Sequence, residues 1–109
     1  MGGETRAAAR DDFVECVIEI VNAIPAGKAM TYGGVAAALG SRGARAVGLI
    51  MSRYGSGLPW WRVVRAGGYP PQGHESRALK QYLAEGMPLV QTPPGYRVDM
   101  KRAAFDVRT

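Results

Sequence analysis

Few side chains in this sequence are equipped to make or break a covalent bond. Cys16 is the one thiol and His74 the one imidazole, so neither an internal disulfide nor a zinc site can be assembled. Cys16 shares a helical stripe with Phe13, Val17, Ile20 and Ile24, which reads as a small buried hydrophobe rather than a reactive thiolate. His74 follows "YPPQG" and reads as a solvent-facing loop residue. The unusual chemistry lies in "LPWWRVV" (58–64), where both tryptophans of the chain, Trp60 and Trp61, stand side by side. Indole is no match for a thiolate as a nucleophile, but it stacks well and buries a large apolar area. The pair is either core filler or stands at a position where other chemistry is to be expected.

Charge is the second signal. The chain carries a net +5, and five of its nine acids (Glu4, Asp11, Asp12, Glu15, Glu19) crowd into the start. No carboxylate occurs between Glu19 and Glu75, a span that holds Lys28, Arg42, Arg45, Arg53, Arg62 and Arg65. A segment purged of acids points to a polyanion such as nucleic acid, against the alternative of a solvated basic face. The length of 109 residues, 47% hydrophobic and 21% charged, fits one globular domain. No apolar run is long enough to span a membrane and the N-terminus lacks a signal-peptide centre, so the expectation is a soluble, cytoplasmic protein with no membrane partner.

Periodicity supplies the elements that must position these groups. Residues 1–9 read as a flexible start, and the spacing of apolar residues predicts a helix over about 12–23, opened by Asp12 and Glu15 and closed by Pro25-Ala26-Gly27. Thr31 is an N-cap candidate for a short helix ending at Leu39-Gly40, and a second short helix spans about 44–53. Two short helices across a glycine-containing turn form a helix-turn-helix pattern. The second carries Gly43, Ala44, Ala46 and Gly48 with Arg45 the one long side chain among them. Such a face permits either close approach to a narrow groove or tight helix–helix packing. Arg62 to Arg65 reads as extended, "YPPQGH" as a stiff loop, 75–85 as a helix with Leu79, Tyr82 and Leu83 inward and Gly86 as its stop, and 96–99 as a short strand. Residues 10–99 make the domain and 100–109 a basic tail.

In this order and near this spacing, "IPAGKAMTYGGVAAALG", "ARAVG", "LPWWRVV", "GGYPP" and "LAEG" resemble the C-terminal DNA-binding domain of the O6-alkylguanine-DNA alkyltransferases. The resemblance implies a mostly α fold with a small β element, an α+β winged helix-turn-helix-like domain. Those enzymes read Pro-Cys-His-Arg-Val where this chain reads Pro59-Trp60-Trp61-Arg62-Val63. With Trp60 in place of the alkyl-accepting cysteine, the chain resembles the alkyltransferase-like proteins, which flip a damaged guanine without repairing it and pass it to nucleotide-excision repair. Trp61 in the histidine position and the lack of an asparagine ahead of the motif are departures.

The resemblance implies roles residue by residue. Arg45 corresponds to the finger that fills the gap left by the flipped nucleotide, and Tyr32 to the tyrosine that rotates the target phosphate. Ala44, Ala46 and Gly48 line the minor-groove face, while Thr31, Ser41 and Arg42 contact phosphates. Trp60, Tyr69, Trp61, Arg62 and Glu85 surround the lesion, with Trp60 as wall, Trp61 either wall or core, and residues 68–74 as lid. Glu85 matches the carboxylate that closes the enzymes' hydrogen-bonded chain. The implied partners are double-stranded DNA carrying O6-alkylguanine and nucleotide-excision repair proteins. No cofactor is implied, the protein acts as a monomer, and in a bacterium it is nucleoid-associated. The alternatives are an active alkyltransferase and a winged helix-turn-helix regulator of transcription.

Overall fold

The computed structural model describes the backbone of residues 2–107 and the side chains of residues 12–107, which leaves the ends of the expected flexible start and tail, Met1, Arg108 and Thr109, outside the described residues. Helix α1 spans Gly2–Ala23, α2 Tyr32–Ala38, α3 Ala44–Tyr54, α4 Glu75–Glu85 and α5 Met100–Ala103. Two short parallel strands, β1 (Met30–Thr31) and β2 (Val63–Val64), pair Met30 with Val63 and Thr31 with Val64. An antiparallel hairpin, β3 (Leu89–Thr92) and β4 (Gly95–Val98), follows α4 as the wing. The α+β class and the helix-turn-helix expected from the sequence are present.

The two-stranded ribbon divides the interior. Successive residues of an extended chain face opposite sides, so Met30 and Val63 enter a core with Val17, Val21, Ile24, Val35, Val47 and Ile50, while Ala29 and Val64 enter a second core with Ala78, Tyr82, Met87 and Val98. The first core seats the helix-turn-helix on α1 and the second seats α4 and the wing. Trp60 packs against both.

Several boundaries differ from the sequence reading. Helix α1 begins at Gly2, so the Asp12 and Glu15 pair lies inside it and caps nothing. The run Ala7-Ala8-Ala9 between charged residues has high helix propensity and carries the helix backward. The segment set apart as a tail is part of the fold. Ala103 is fully buried, the Ala29 N–H donates to the Ala103 carbonyl at 2.9 Å, and the Phe105 N–H donates to the Ala29 carbonyl at 2.9 Å. Strand β3 lacks a clear alternation and was not expected; pairing with β4 makes it a strand. Leu83 is 67% exposed rather than inward, because the Ala78–Tyr82 stripe of α4 faces the core and Leu83 lies beside it. Gly86 ends α4 in the left-handed region at φ 69°, as its position after the last periodic residue implies. Among the described residues no helix is long and apolar enough to cross a membrane.

Candidate functional site

The paired tryptophans sit in a tight turn, and of the segment 62–65 read as extended only Val63–Val64 form a strand. Residues Trp60–Arg62 form a single 3-10 turn after Pro59, closed by the Arg62 N–H donating to the Pro59 carbonyl at 3.0 Å. Three residues per turn send consecutive side chains in three directions, so Trp60, Trp61 and Arg62 diverge. The two indoles meet edge to face, with centroids 5.6 Å apart and planes at 87°.

Helix α4 holds this turn from one side. Positions 74, 77, 78, 82 and 85 recur at helical spacing and share its inner face. The fully buried Tyr82 donates its hydroxyl to the Trp61 carbonyl at 2.5 Å. Burial, reinforced by Tyr96, Tyr32 and Glu85, pushes that phenol above its usual range, so it serves as a fixed donor. Three residues on, Glu85 gathers several donors. Its Oε1 accepts from Trp61 Nε1 at 2.6 Å and from Arg62 Nη2 at 2.6 Å, and its Oε2 accepts from the Gly27 N–H at 3.1 Å. Arg62 Nη1 donates onward to the Ile24 carbonyl at 2.9 Å. Burial pushes the Glu85 carboxyl up, but the hydrogen bonds from Arg62, Gly27 and Trp61 and the Arg62 charge outweigh it and hold the group below the usual carboxylate range. Trp61 thus supplies the N–H that the missing histidine does not. Trp61, Arg62 and Glu85 form a strut joining the segment that follows α1, the turn and α4.

Trp60 turns the other way, onto a cavity of about 430 Å³, within the roughly 300–1,000 Å³ typical of ligand sites. Its wall comprises Tyr32 from α2, Gly48, Met51 and Ser52 from α3, Ser56, Trp60, and Pro71, Gln72, His74 and Arg77 from the loop and α4. The five residues expected around a lesion are therefore divided. Trp60 lines the cavity, whereas Trp61, Arg62 and Glu85 stand behind it in the strut and Tyr69 lies elsewhere. Tyr69 is 42% exposed beside Arg65, whose guanidinium carbon sits 5.9 Å from its ring and whose Nε donates to the Pro70 carbonyl at 2.8 Å. The turn at 66–68 directs Tyr69 there. His74, read as facing solvent, is exposed but also part of the wall, its ring 5.6 Å from that of Trp60. Arg77 was not anticipated; its guanidinium carbon lies 5.5 Å from the centre of a Trp60 ring and its Nη2 bonds to His74 Nδ1. The signal for it was the helical spacing from His74 through Tyr82 to Glu85.

The β1–β2 pairing brings Tyr32 to this wall, since Tyr32 directly follows Thr31 opposite Val64. Burial raises the Tyr32 phenol above its ordinary range, partly countered by the charge of Arg65. Thr31 caps α2, its Oγ1 accepting from the Gly34 N–H at 2.9 Å. Ser41 Oγ accepts from the Gly43 N–H at 2.9 Å and shapes the turn before α3. Helix α3 buries Val47, Ile50 and Met51 and leaves Arg45, Ala46, Leu49, Ser52 and Arg53 exposed, with Arg42 exposed just before it. Gly48 is not required by internal packing, since a Cβ placed on it would meet nothing within 4 Å, whereas one on Gly43 would lie 3.0 Å from Ser41 Oγ. No asparagine ties α3 to the turn; α3 runs into a 3-10 turn at Gly55–Gly57, and buried Gly55 fits between Met51 and Trp60, where its Cβ would lie 3.6 Å from Met51 Cε and 3.7 Å from Trp60 Cβ.

Comparison with known proteins agrees with this architecture. Residues 12–86 match the family model described as 6-O-methylguanine DNA methyltransferase, DNA binding domain. A DNA base-flipping protein of Escherichia coli strain K12 is 40% identical over 104 residues, covering 91% of this chain and 78% of that protein. A DNA base-flipping protein of Vibrio parahaemolyticus is 38% identical over 82 residues, covering 71% of this chain and 82% of its own length. The crystal structure of S. pombe Atl1 in complex with damaged DNA containing O6-carboxymethylguanine superposes with a TM-score of 0.77 at 30% identity, over 88% of this chain and 96% of Atl1. On family match, identity and fold together, the chain belongs to the family of the 6-O-methylguanine DNA methyltransferase DNA-binding domain, in its alkyltransferase-like form.

Proposed function

We propose that this protein is a non-enzymatic sensor of O6-alkylguanine in double-stranded DNA. Helix α3 enters the minor groove with Ala44, Ala46 and Gly48 against the sugar edges, and Arg45 takes the place of a nucleotide rotated out of the stack. Tyr32 pushes on the target phosphate, while Thr31, Ser41 and Arg42 hold the backbone. The swung-out base enters the cavity beside Trp60, and the complex marks the site for nucleotide-excision repair. The protein acts as a monomer, and in a bacterial cell the place of action is the nucleoid.

One observation carries this reading: a cavity of about 430 Å³ is walled jointly by α3 and by Trp60, the residue standing at the family's reactive position. A base leaving a duplex at α3 has the cavity directly beside it. Nothing in that wall is a thiol, since Cys16 lies on α1. Indole offers no electron pair that accepts an alkyl carbon as a thiolate does. The complexes of Atl1 with damaged DNA and the relatives named for base flipping support the same assignment. A sequence-specific regulator is disfavoured, because the exposed small-residue face of α3 has few side chains long enough to read base edges.

The energetics are balanced for normal DNA. Unpairing and unstacking cost a few kcal/mol, less for a mispaired alkylguanine, and stacking on an aromatic wall returns about 1–3 kcal/mol. Burial of the alkyl group adds about 0.8 kcal/mol per CH₂ and favours the lesion. The test measures affinity for matched duplexes with and without a single O6-methylguanine across a salt series. Tighter lesion binding that weakens as salt rises is expected, and equal affinity for the two duplexes refutes the proposal.

A further inference from the structure

Arg77 gives the cavity an electrostatic character that its aromatic wall does not. It is the one side chain with a permanent charge among the lining residues, and no carboxylate lines the cavity. The Glu85 carboxylate pairs with Arg62 and not with Arg77. The Arg77 guanidinium is nevertheless held in place, set over Trp60 at 5.5 Å and bonded to His74 Nδ1. The polar side of the wall carries the guanidinium N–H groups of Arg77, with the His74 imidazole, the Gln72 amide and the Ser52 and Ser56 hydroxyls alongside. A fixed planar fork of donors beside an apolar ring is what a carboxylate at the end of a short carbon chain requires.

We propose that the cavity selects guanines whose O6 substituent ends in a negative charge, a carboxyalkyl group, over neutral substituents of the same size, and that Arg77, positioned by His74 and Trp60, confers the selectivity. This rests on the reading of the cavity as the seat of a flipped O6-alkylguanine. The guanine ring lies against the indole, and the substituent carries its carboxylate to the guanidinium. A neutral group of equal size leaves the guanidinium without its counter-charge. Arg77 is exposed and makes no contact with the Glu85 strut, so its replacement leaves the fold intact.

The experiment compares four otherwise identical duplexes, carrying guanine, O6-methylguanine, O6-carboxymethylguanine or its neutral isostere O6-carbamoylmethylguanine, at fixed salt. For the unaltered protein the carboxymethyl duplex is expected to bind about tenfold more tightly than the carbamoylmethyl duplex, as a charge-assisted bond implies. Arg77→Gln brings that ratio to about one, whatever it does to methyl-lesion affinity, and Arg77→Lys restores part of the ratio, because a point charge replaces a fork. A ratio of one for the unaltered protein, with O6-methylguanine still preferred over guanine, overturns the charge selectivity and leaves the sensor function standing. An equal loss for Arg77→Gln on all four duplexes means that Arg77 binds backbone phosphate and also overturns it. Failure to distinguish any lesion from guanine overturns the sensor function and this proposal together.

Discussion

Replacing Glu85 with alanine removes the acceptor that joins three segments of the chain. Five hydrogen bonds from four donors end on this carboxylate at 2.6 to 3.2 Å, from Trp61 Nε1, Arg62 Nε (to both oxygens), Arg62 Nη2 and the Gly27 N–H. The paired side chains are 17% and 9% exposed, so a guanidinium left alone there is poorly hydrated. Removing one partner of a buried pair costs about 3–5 kcal/mol, a large share of the roughly 5–15 kcal/mol that holds a domain folded. At about 4 °C per kcal/mol for a chain of this size, the melting temperature falls by roughly 12–20 °C. Urea unfolding followed by tryptophan fluorescence measures the loss, since Trp61 reports on the strut itself. Arg62→Met combined with Glu85→Ala is expected to cost less than the sum of the two single changes, because no orphan charge remains. The pH dependence has a definite sign. The folded carboxyl is held below its unfolded value, so its contribution is complete above about pH 4.3 and disappears as pH falls through the depressed folded value. Glu85→Gln removes that part of the acid sensitivity. A Glu85→Ala cost of about 1 kcal/mol or less, the range of exposed pairs, refutes the strut.

Three further outcomes are expected. Gly68→Ala is expected to abolish or severely reduce folding, read by circular dichroism, because φ is 95° and the new Cβ would lie 2.2 Å from the Val98 carbonyl oxygen. Arg45→Ala, at an exposed position on α3, is expected to leave the melting temperature within about 2 °C and to weaken lesion binding by about tenfold or more, as loss of a stacking, hydrogen-bonding guanidinium implies; unchanged lesion affinity removes the finger role. Trp60→Cys is expected to gain no alkyl mass after incubation with O6-methylguanine DNA, since Trp61 and not an imidazole carries the N–H bonded to Glu85; an intact-mass shift equal to the alkyl group refutes this.

Much of the fold was legible because it is local. The apolar period of residues 13–24, the cap at Thr31, the small face of α3 and the stop at Gly86 each depend on near neighbours in sequence, and each appears where the residues imply. Strand β3 and the packing of residues 100–105 were not legible, because both exist through bonds to distant backbone, β4 in one case and Ala29 in the other. The extended reading of 62–65 was too long, because Arg62 closes a proline-led 3-10 turn and only Val63–Val64 form a strand.

The sequence by itself determined which chemistry is available: an acid-free basic span, one arginine on a face of small residues, and indole where a thiolate would be needed for transfer. Tertiary structure alone decided which residues share the cavity. Trp60 and Trp61 are neighbours of one type, yet one lines the cavity and the other braces Glu85, because a 3-10 turn rotates them apart and α4 offers a carboxylate on one side only. Arg77 joins Trp60 across 17 positions of sequence for the same reason. Side-chain chemistry is written residue by residue, whereas proximity between distant residues follows from how helices and ribbon pack into two cores.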